Sequence, residues 1–312
     1  ALTALGSGLL SWAPGYVAFT LAAVFLGAGA GLYFSAATTF VAGLFENTGW
    51  ALGIHSAGGP LAGLVAPLLG TVVAARFGWR PALLVGAAVA GPVLVAYATL
   101  IPSTLSSELP KRQSSPVSFQ TRDLLGIIRR GPVAFTSGLA VAGYFSWQAV
   151  LSFFPAFLIA FHDLTPGQAS LGFAGLFVMS AVGLPVLGRL SDRFRRDVVL
   201  GMAFSISAAA MSLLVLGTGS VAIGLGVVFL GGGMGWAGVL NSRFMDLFGD
   251  RERGTAFGLV RTVFLLLGSL GSVVTGVLVD ASGWTVAYGM VAVVLVVGMV
   301  AIVANRTLGL EL

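Results

Sequence analysis

The sequence predicts an all-α polytopic membrane protein, and its hydropathy, its charge content and its turn residues carry that prediction. Mean hydropathy is +1.00, 57% of the 312 residues are hydrophobic and only 9% are charged. Soluble domains carry about 25% charged residues, so this chain lacks the side chains that a water-facing surface needs. The composition therefore excludes a soluble enzyme, a nucleic-acid-binding module and a disordered protein, and it points to the lipid bilayer as the environment.

Nine apolar stretches reach the length of about 20 residues that a membrane helix requires. They follow a short apolar segment at residues 1–12, and turn residues such as Ala13-Pro14-Gly15 and Ser282-Gly283 separate them. The predicted spans are residues 16–45, 50–75, 81–101, 132–161, 168–187, 198–216, 221–241, 255–279 and 284–304.

The basic residues between these spans are concentrated on alternate loops. The richer set comprises Lys111, Arg112, Arg122, Arg129, Arg130, Arg189, Arg193, Arg195, Arg196, Arg243, Arg251, Arg253 and Arg306. Arg76 and Arg80 belong to the opposite side. Loops rich in Lys and Arg stay in the cytoplasm, so we expect a multi-pass protein of the plasma or inner membrane with a cytoplasmic C-terminus.

Residues in the first quarter of the sequence recur in its last third, at offsets of 204 and 205 positions. Residues 24–31, VFLGAGAG, recur as VFLGGGMG at 228–235, and Gly49, Gly53, Gly63 and Gly78 recur as Gly254, Gly258, Gly268 and Gly283. Glycine-rich apolar helices can agree by chance, whereas an internal repeat of the kind that transporters carry predicts two six-helix halves. Under the repeat hypothesis, roughly 70 residues, or two helices and a loop, precede residue 1 in the native chain.

The repeat also predicts the domain organisation. Residues 1–101 form the remainder of an N-terminal helical bundle, from a partial helix three to helix six. Residues 102–131 are rich in Pro, Ser and charge and form a cytoplasmic linker, and residues 132–312 form a C-terminal six-helix bundle.

The loop after the fifth full span reads Gly188-Arg189-Leu190-Ser191-Asp192-Arg193-Phe194-Arg195-Arg196. It resembles the G-x-L-x-D-R-x-G-R-R motif of the major facilitator superfamily in its C-terminal copy, and it departs from that motif at Phe194 and Arg195. Gly58-Gly59-Pro60, followed by Gly63, Pro67 and Gly70, is similar to the superfamily's fifth-helix motif. The resemblance covers essentially the whole chain. It implies two pseudo-symmetric six-helix bundles, with the first two helices missing, and secondary active transport of a small solute by rocker-switch alternating access.

In that superfamily the loop latches the two halves together in the outward-open state. The residues to which the resemblance assigns this latch are Gly188, Asp192, Arg193, Arg196 and Asp246. A carboxylate at position 192 can accept hydrogen bonds at the positive end of a neighbouring helix, and pseudo-symmetry identifies that helix as the one beginning near Gly49. Asp246 or Asp250 is a candidate partner for Arg193 or Arg196. The alternative is a solvated loop whose arginines only set the orientation.

Glycines spaced four residues apart predict close helix contacts. The pairs are Gly27/Gly31, Gly49/Gly53, Gly231/Gly235 and Gly254/Gly258. Such contacts suit helices that rock against each other, and packing alone explains them as well.

Substrate is expected near the bilayer midplane, between the halves. The resemblance implies that helices one, four, seven and ten line this cavity, and the candidates on the three present helices are Tyr33, Tyr144, Trp147, Gln148, Trp236 and Asn241. Burying an uncharged amide at that depth costs less free energy than burying an ion, which favours Gln148 and Asn241 as polar contacts. The aromatic residues are stacking walls in this hypothesis and interfacial or packing residues in the alternative.

Ionisable residues inside a bilayer are functional candidates by default, and here they are His55, Arg261 and Asp280. His55 can titrate near neutral pH or can simply be hydrogen-bonded beside Ser56. Arg261 is either an anion-attracting or gating charge or a snorkelling side chain. Asp280 lies at the outer end of its span, where water is close. These three are the candidates for charge or proton coupling, which the family resemblance leads us to expect.

Two other functions compete with transport: a lipid-modifying membrane enzyme, and a non-transporting sensor or degenerate transporter. Membrane enzymes cluster Asp, Glu or His to hold a metal or polarise phosphate, and here the acids are scattered. No catalytic residue, cofactor, metal or nucleotide site is predicted. The expected partners are a small-molecule substrate, a coupling proton and the bilayer, with the protein acting as a monomer. The few intramembrane charges favour a neutral, amphipathic or monoanionic solute.

Overall fold

The computed structural model describes residues 2–100, 126–249 and 252–310, and all regular structure in these ranges is helical. The helices are α1 (Leu2–Trp12), α2 (Tyr16–Leu44), α3 (Thr48–Phe77), α4 (Trp79–Leu100), α5 (Gly131–His162), α6 (Pro166–Arg193), α7 (Arg196–Leu216), α8 (Gly219–Gly233), α9 (Trp236–Leu247) and α10 (Arg253–Thr307). The predicted all-α fold is confirmed. Most of the predicted linker, residues 102–125, lies outside the described residues.

Eight helical stretches among the described residues are long and apolar enough to cross a bilayer. The longest, α10, would measure about 80 Å as a straight helix, far more than a hydrocarbon core of roughly 30 Å. Gly283 interrupts it with φ 80° and ψ 176°, a conformation that glycine adopts because it has no Cβ. The predicted eighth and ninth spans therefore both lie in α10, on either side of the predicted Ser282-Gly283 break.

The structure refines two of the predicted spans. The seventh is long and apolar enough to cross a bilayer, as residues 219–247, but a turn at Met234 and Gly235 divides it into α8 and α9. Glycine is a poor helix former, and four glycines stand at positions 231–235. The predicted fifth and seventh spans end at residues 187 and 241. The helices continue about six residues further, α6 to Arg193 and α9 to Leu247. Arg189, Arg193 and Arg243 are therefore helical, because a helix continues beyond the point where its hydropathy falls.

The described residues form two compact units, one of residues 2–37 and 65–100 and the other of residues 38–64 and 126–310 with the gap at 250–251. In the first unit α1 packs on α4. There the Ser11 hydroxyl donates to the Arg80 carbonyl at 2.9 Å, and the Arg80 guanidinium donates to the Ala13 carbonyl at 3.2 Å.

The second unit contains the larger core. In it α10 packs against α5 and α7, and α8 packs against α6 and α7. Fully buried aromatic side chains fill the interior, among them Phe154, Phe157, Phe204, Phe244 and Phe264. Leucine and valine side chains such as Leu266, Val273 and Val297 remain more than 60% exposed on the outside, which suits a surface that lipid tails cover.

Candidate functional site

A side chain from α6 caps the N-terminal end of α3. The first amide groups of a helix have no acceptor within it, and here those of Gly49 and Trp50 donate to Asp192. The distances are 2.7 Å from Gly49 N to Oδ1 and 2.8 Å from Trp50 N to Oδ2. The positive end of the helix dipole adds to these charge-assisted hydrogen bonds.

Glycines let the two backbones approach closely enough for this cap to form. A Cβ on Gly49 would overlap the carbonyl oxygen of Gly188, and a Cβ on Gly188 would overlap that of Gly49. One turn further along α3, a Cβ on Gly53 would overlap the carbonyl of Leu184. Any side chain larger than hydrogen at these positions would therefore push the helices apart.

Two of the other predicted glycine pairs lie in different surroundings. Gly231 and Gly235 also pack against α6, close to Leu176 and Gly183. Gly27 and Gly31 meet no neighbouring helix among the described residues, so the expectation of a close contact there was wrong. The α2 face around them is open, because Val24 and Leu32 are 65% and 66% exposed.

Arg196 connects the Asp192 cap to α9. Its guanidinium binds both carboxylate oxygens of Asp246, with NH2 3.1 Å from Oδ1, and its NH1 lies 4.0 Å from Asp192 Oδ1. Arg189 and Arg193 follow one another on the same face of α6 and line a cavity of about 340 Å³ with Asp192 and Trp50. Asp250, the other acid considered as a partner, lies outside the described residues.

Arg243 is a buried cation that the sequence analysis had placed in a loop. It lies on α9, is 9% exposed, and forms an ion pair with Asp197. Its Nε donates to the Thr136 hydroxyl on α5 at 2.9 Å. The Arg243 side chain thus ties α9 to the start of α7 and to α5. Arg243 follows the predicted end of the seventh span, Asn241, by only two residues. A helix extended by one turn beyond that end would have included it.

Two of the predicted cavity residues meet at the centre of an aromatic cluster. Tyr144 lies edge-on to Trp236 at 5.1 Å and stacks on Phe264 at 4.9 Å between ring centroids. A Cβ on Gly143 would come within 2.8 Å of the Trp236 ring, so this glycine makes room for the indole. Tyr144 and Trp236 were predicted from the sequence, whereas Phe264 was not, because the packing of α10 on α5 sets its neighbours.

The two most buried cavity candidates carry unsatisfied polar atoms. Trp236 and Asn241 are each 2% exposed. Neither the Trp236 Nε1 nor the Asn241 Nδ2 has a hydrogen-bond partner among the described residues. A buried polar group without a partner costs about 1–3 kcal/mol, so a ligand that accepts a hydrogen bond there would recover that cost.

The remaining cavity candidates are less enclosed. Trp147 packs edge-on to Phe177 at 6.2 Å, and Gln148 is half-buried on the same helix. Tyr33 belongs to the first unit and is 63% exposed.

The family model of the Major Facilitator Superfamily matches residues 1–240 and 137–308. The chain belongs to this superfamily. It is a multi-pass membrane protein of a transporter family, and the segment that caps α3 through Asp192 is the one that resembles the superfamily motif.

The chain is similar to two known proteins, one by sequence and one by structure. Multidrug resistance protein MdtG from Citrobacter koseri is 26% identical over 168 residues, which cover 52% of this chain and 40% of the relative. The matched region thus spans less than half the length of that relative. The crystal structure of the human organic anion transporter MFSD10 (TETRAN) has a TM-score of 0.78 and 16% identity, covering 96% of this chain and 74% of that one. This likeness shows the fold.

Membership of the superfamily points to a transporter rather than an enzyme. Among the described residues there is no group of three or more His, Cys, Asp or Glu side chains that could hold a metal ion. Four of the described acids have other partners: Asp192 binds the start of α3, and Asp197, Asp246 and Glu252 bind arginines.

The three intramembrane ionisable candidates of this superfamily member lie in different surroundings. His55 on α3 and Arg261 on α10 are both partly buried and lie within electrostatic range of each other. Asp280 is exposed on α10, three residues before the Gly283 break.

The ion pair between Arg130 and Glu252, in loops that the sequence predicts to be cytoplasmic, was not itself predicted. Arg130, just before α5, binds both carboxylate oxygens of Glu252, just before α10, at 2.5 and 3.0 Å. The hydrogen bonds from Arg130 lower the pKa of the Glu252 carboxyl below its ordinary value and raise the pKa of Arg130. No sequence spacing pointed to this pair, because the two residues are 122 positions apart.

Proposed function

We propose that this protein is a secondary active transporter that moves a small solute by rocker-switch alternating access. Superfamily membership supports transport in general. The cap that Asp192 forms on α3 carries the more specific proposal. It is a polar contact between two helices that can form in one conformation and be replaced by water in another.

The energetics of this cap suit a reversible contact. Hydrogen bonds to a charged group contribute about 1.5–3 kcal/mol net, so two of them bias a conformational equilibrium without locking it. The glycines on both helices permit backbone contact without interlocking side chains, so the helices can part without rotamer changes. The bidentate bond from Arg196 to Asp246 keeps this arginine beside Asp192.

For the substrate we propose an amphipathic organic molecule, neutral or monoanionic, that binds against Trp236 and Tyr144. The Trp236 indole N–H and the Asn241 amide would donate hydrogen bonds to it, while the aromatic rings cover its apolar part. Trp147 and Gln148 are additional candidate contacts. The name of the relative, a multidrug resistance protein, is consistent with an amphipathic organic substrate.

We further propose that transport is coupled to a proton, with His55 and Arg261 as the candidate coupling pair and Asp280 as an outer charge. An imidazole close to a permanent cation changes its proton affinity when the two groups move apart, so their separation would couple protonation to conformation. The protein is proposed to act as a monomer in the plasma or inner membrane, with its C-terminus in the cytoplasm.

The proposal is tested by transport into proteoliposomes that contain the full chain. The probe is anilinonaphthalene sulfonate, a monoanionic amphipathic dye, with an imposed proton gradient and ethidium as a cationic comparison. We expect gradient-dependent dye movement that Asp192→Asn slows by about 10-fold or more, the equivalent of one lost charged hydrogen bond. Asp163→Asn, at the C-terminal cap of α5, is the matched control and should transport normally. If neither dye moves with wild-type protein, or if Asp192→Asn transports normally, the proposal is wrong.

A further inference from the structure

A groove of about 570 Å³ lies between α7 and the last turns of α10, outside the Asp192 cap and the aromatic cluster. Val198, Met202 and Ile206 form its wall on α7, and Met299 and Val303 form its wall on α10. Met202 is 46% exposed and Val303 is 50% exposed, so the groove opens to the outside of the helical bundle. That surface faces lipid in a membrane-spanning protein.

The groove presents hydrocarbon along its length. The one hydroxyl along its middle, that of Ser205, donates to the Gly201 carbonyl at 2.8 Å and so is already satisfied. Gly201 forms part of the floor, where a Cβ would meet only Ile302 Cγ2 at 3.8 Å. A flexible apolar chain can fill such a space through van der Waals contacts, and a polar ligand would gain nothing there.

The length of the groove matches one leaflet of a bilayer. Its wall on α7 extends over nine residues, from Val198 to Ile206, or about 12 Å along the axis at the helical rise of 1.5 Å per residue. One leaflet contributes about 15 Å of the roughly 30 Å hydrocarbon core. The groove therefore runs through most of one acyl layer.

The end of the groove carries a net positive charge. Arg306, in the last turn of α10, is exposed and lines this end together with Asp197. Asp197 is neutralised by its ion pair with Arg243, which leaves the Arg306 guanidinium as the uncompensated charge of the three. Guanidinium groups bind phosphate through charge-assisted hydrogen bonds.

From the groove and its charged end we infer that this is a binding site for one anionic phospholipid. An acyl chain lies between α7 and α10, and the phosphate binds Arg306. The lipid comes from the leaflet on the side of the chain's C-terminal end. Phospholipid is the ligand that supplies both an apolar chain of this length and a phosphate at the interface.

The test is native mass spectrometry of the full chain in detergent, titrated with dioleoyl phosphatidylglycerol, dioleoyl phosphatidylcholine or glycerol phosphate. Wild-type protein should retain one phosphatidylglycerol and bind it about fivefold more tightly than phosphatidylcholine, the effect of one basic residue on an anionic lipid. Glycerol phosphate alone should not be retained. If it competes as well as the whole lipid, the acyl chain is not bound and the inference is overturned.

Two groove variants and one headgroup variant separate the parts of the site. Gly201→Leu fills the floor and should weaken phosphatidylglycerol binding at least fivefold. If Gly201→Leu does not fold, Met202→Trp replaces it in the test, because the larger side chain at this exposed position blocks the opening of the groove. Arg306→Gln should abolish the preference over phosphatidylcholine, whereas Arg195→Gln, an exposed arginine outside the groove, should keep it. Unchanged binding in the folded groove variant overturns the groove assignment, and an unchanged preference in Arg306→Gln overturns the headgroup assignment.

Discussion

Gly49 and Gly188 touch backbone to backbone where α3 crosses α6, and neither position has room for a Cβ. The two residues are remote in sequence, yet their contact decides whether Asp192 reaches the amide groups at the start of α3. The cap depends both on the close approach of the helices and on the charge of the carboxylate. Substitutions at Gly49 and at Asp192 test these two contributions separately.

Gly49→Ala should destabilise the protein. A Cβ there overlaps backbone atoms that cannot rotate away, and overpacking of this kind costs about 1–3 kcal/mol. Gly58→Ala on the same helix is the control, since a Cβ there meets nothing within 4 Å and alanine is the better helix former. Thermal unfolding in detergent should show a lower midpoint for Gly49→Ala alone. Equal midpoints would mean that the helices separate at no cost.

Asp192→Asn should loosen the contact between α3 and α6 while keeping the shape of the side chain. One amide oxygen still accepts a hydrogen bond, but the charge that interacts with the helix dipole is lost. The chain has no cysteine, so Ala51→Cys, at a position that is 6% exposed beside the cap, gives a single reporter. We expect Asp192→Asn to increase the rate of labelling by a hydrophilic maleimide severalfold, and Asp163→Asn to leave it unchanged.

Arg243→Gln should be strongly destabilising. It leaves Asp197, whose side chain is 18% exposed, without its ionic partner, which costs about 1–3 kcal/mol. The double variant Arg243→Met/Asp197→Leu removes both charges and should recover much of the loss. Midpoints of thermal unfolding for the single and double variants measure this coupling. A double variant as unstable as the single one would show that the pair contributes through packing rather than charge.

The Arg130–Glu252 pair should make a pH-dependent contribution to stability. The pKa of Glu252 is lowered in the folded protein, so its contribution is present above the ordinary glutamate pKa and is lost as pH falls through the lowered value. Arg130 is exposed and Glu252 is only partly buried, so water screens the pair and limits the effect to about 1 kcal/mol or less. The difference in unfolding midpoint between wild type and Glu252→Gln should therefore vanish on acidification. Glu46→Gln, at an exposed position outside the pair, should show no such difference at neutral pH.

Trp236→Phe separates packing from hydrogen bonding at the aromatic cluster. It keeps an aromatic ring beside Tyr144 and removes the unpartnered Nε1, and because the smaller ring leaves a cavity the unfolding free energy should fall by about 1–3 kcal/mol. If the proposed substrate accepts a hydrogen bond from this group, its affinity should fall about 10-fold, which equilibrium dialysis of the dye measures. Unchanged affinity would remove Trp236 from the proposed site.

The sequence was informative where a local rule acts on consecutive residues. Hydropathy located the spans, because every residue in a bilayer helix faces the same demand for apolar side chains and internal backbone hydrogen bonds. The positive φ of Gly283 agreed with the predicted turn, because glycine has no Cβ and adopts this conformation without steric strain. The motif around Asp192 led to the superfamily, and the family model that matches the chain confirms it.

The partners of individual side chains were decided by tertiary structure. Hydropathy ended the seventh span before Arg243, yet that residue is buried, because Asp197 and Thr136 come from other helices to meet it. Arg130 and Glu252 likewise meet only because α5 and α10 pack together. Sequence alone determined that these helices span a membrane, since that depends on the composition of each segment by itself. Which residues pair, and which polar atoms are left unsatisfied, depends on the way the segments cross, and distant residues set that geometry together.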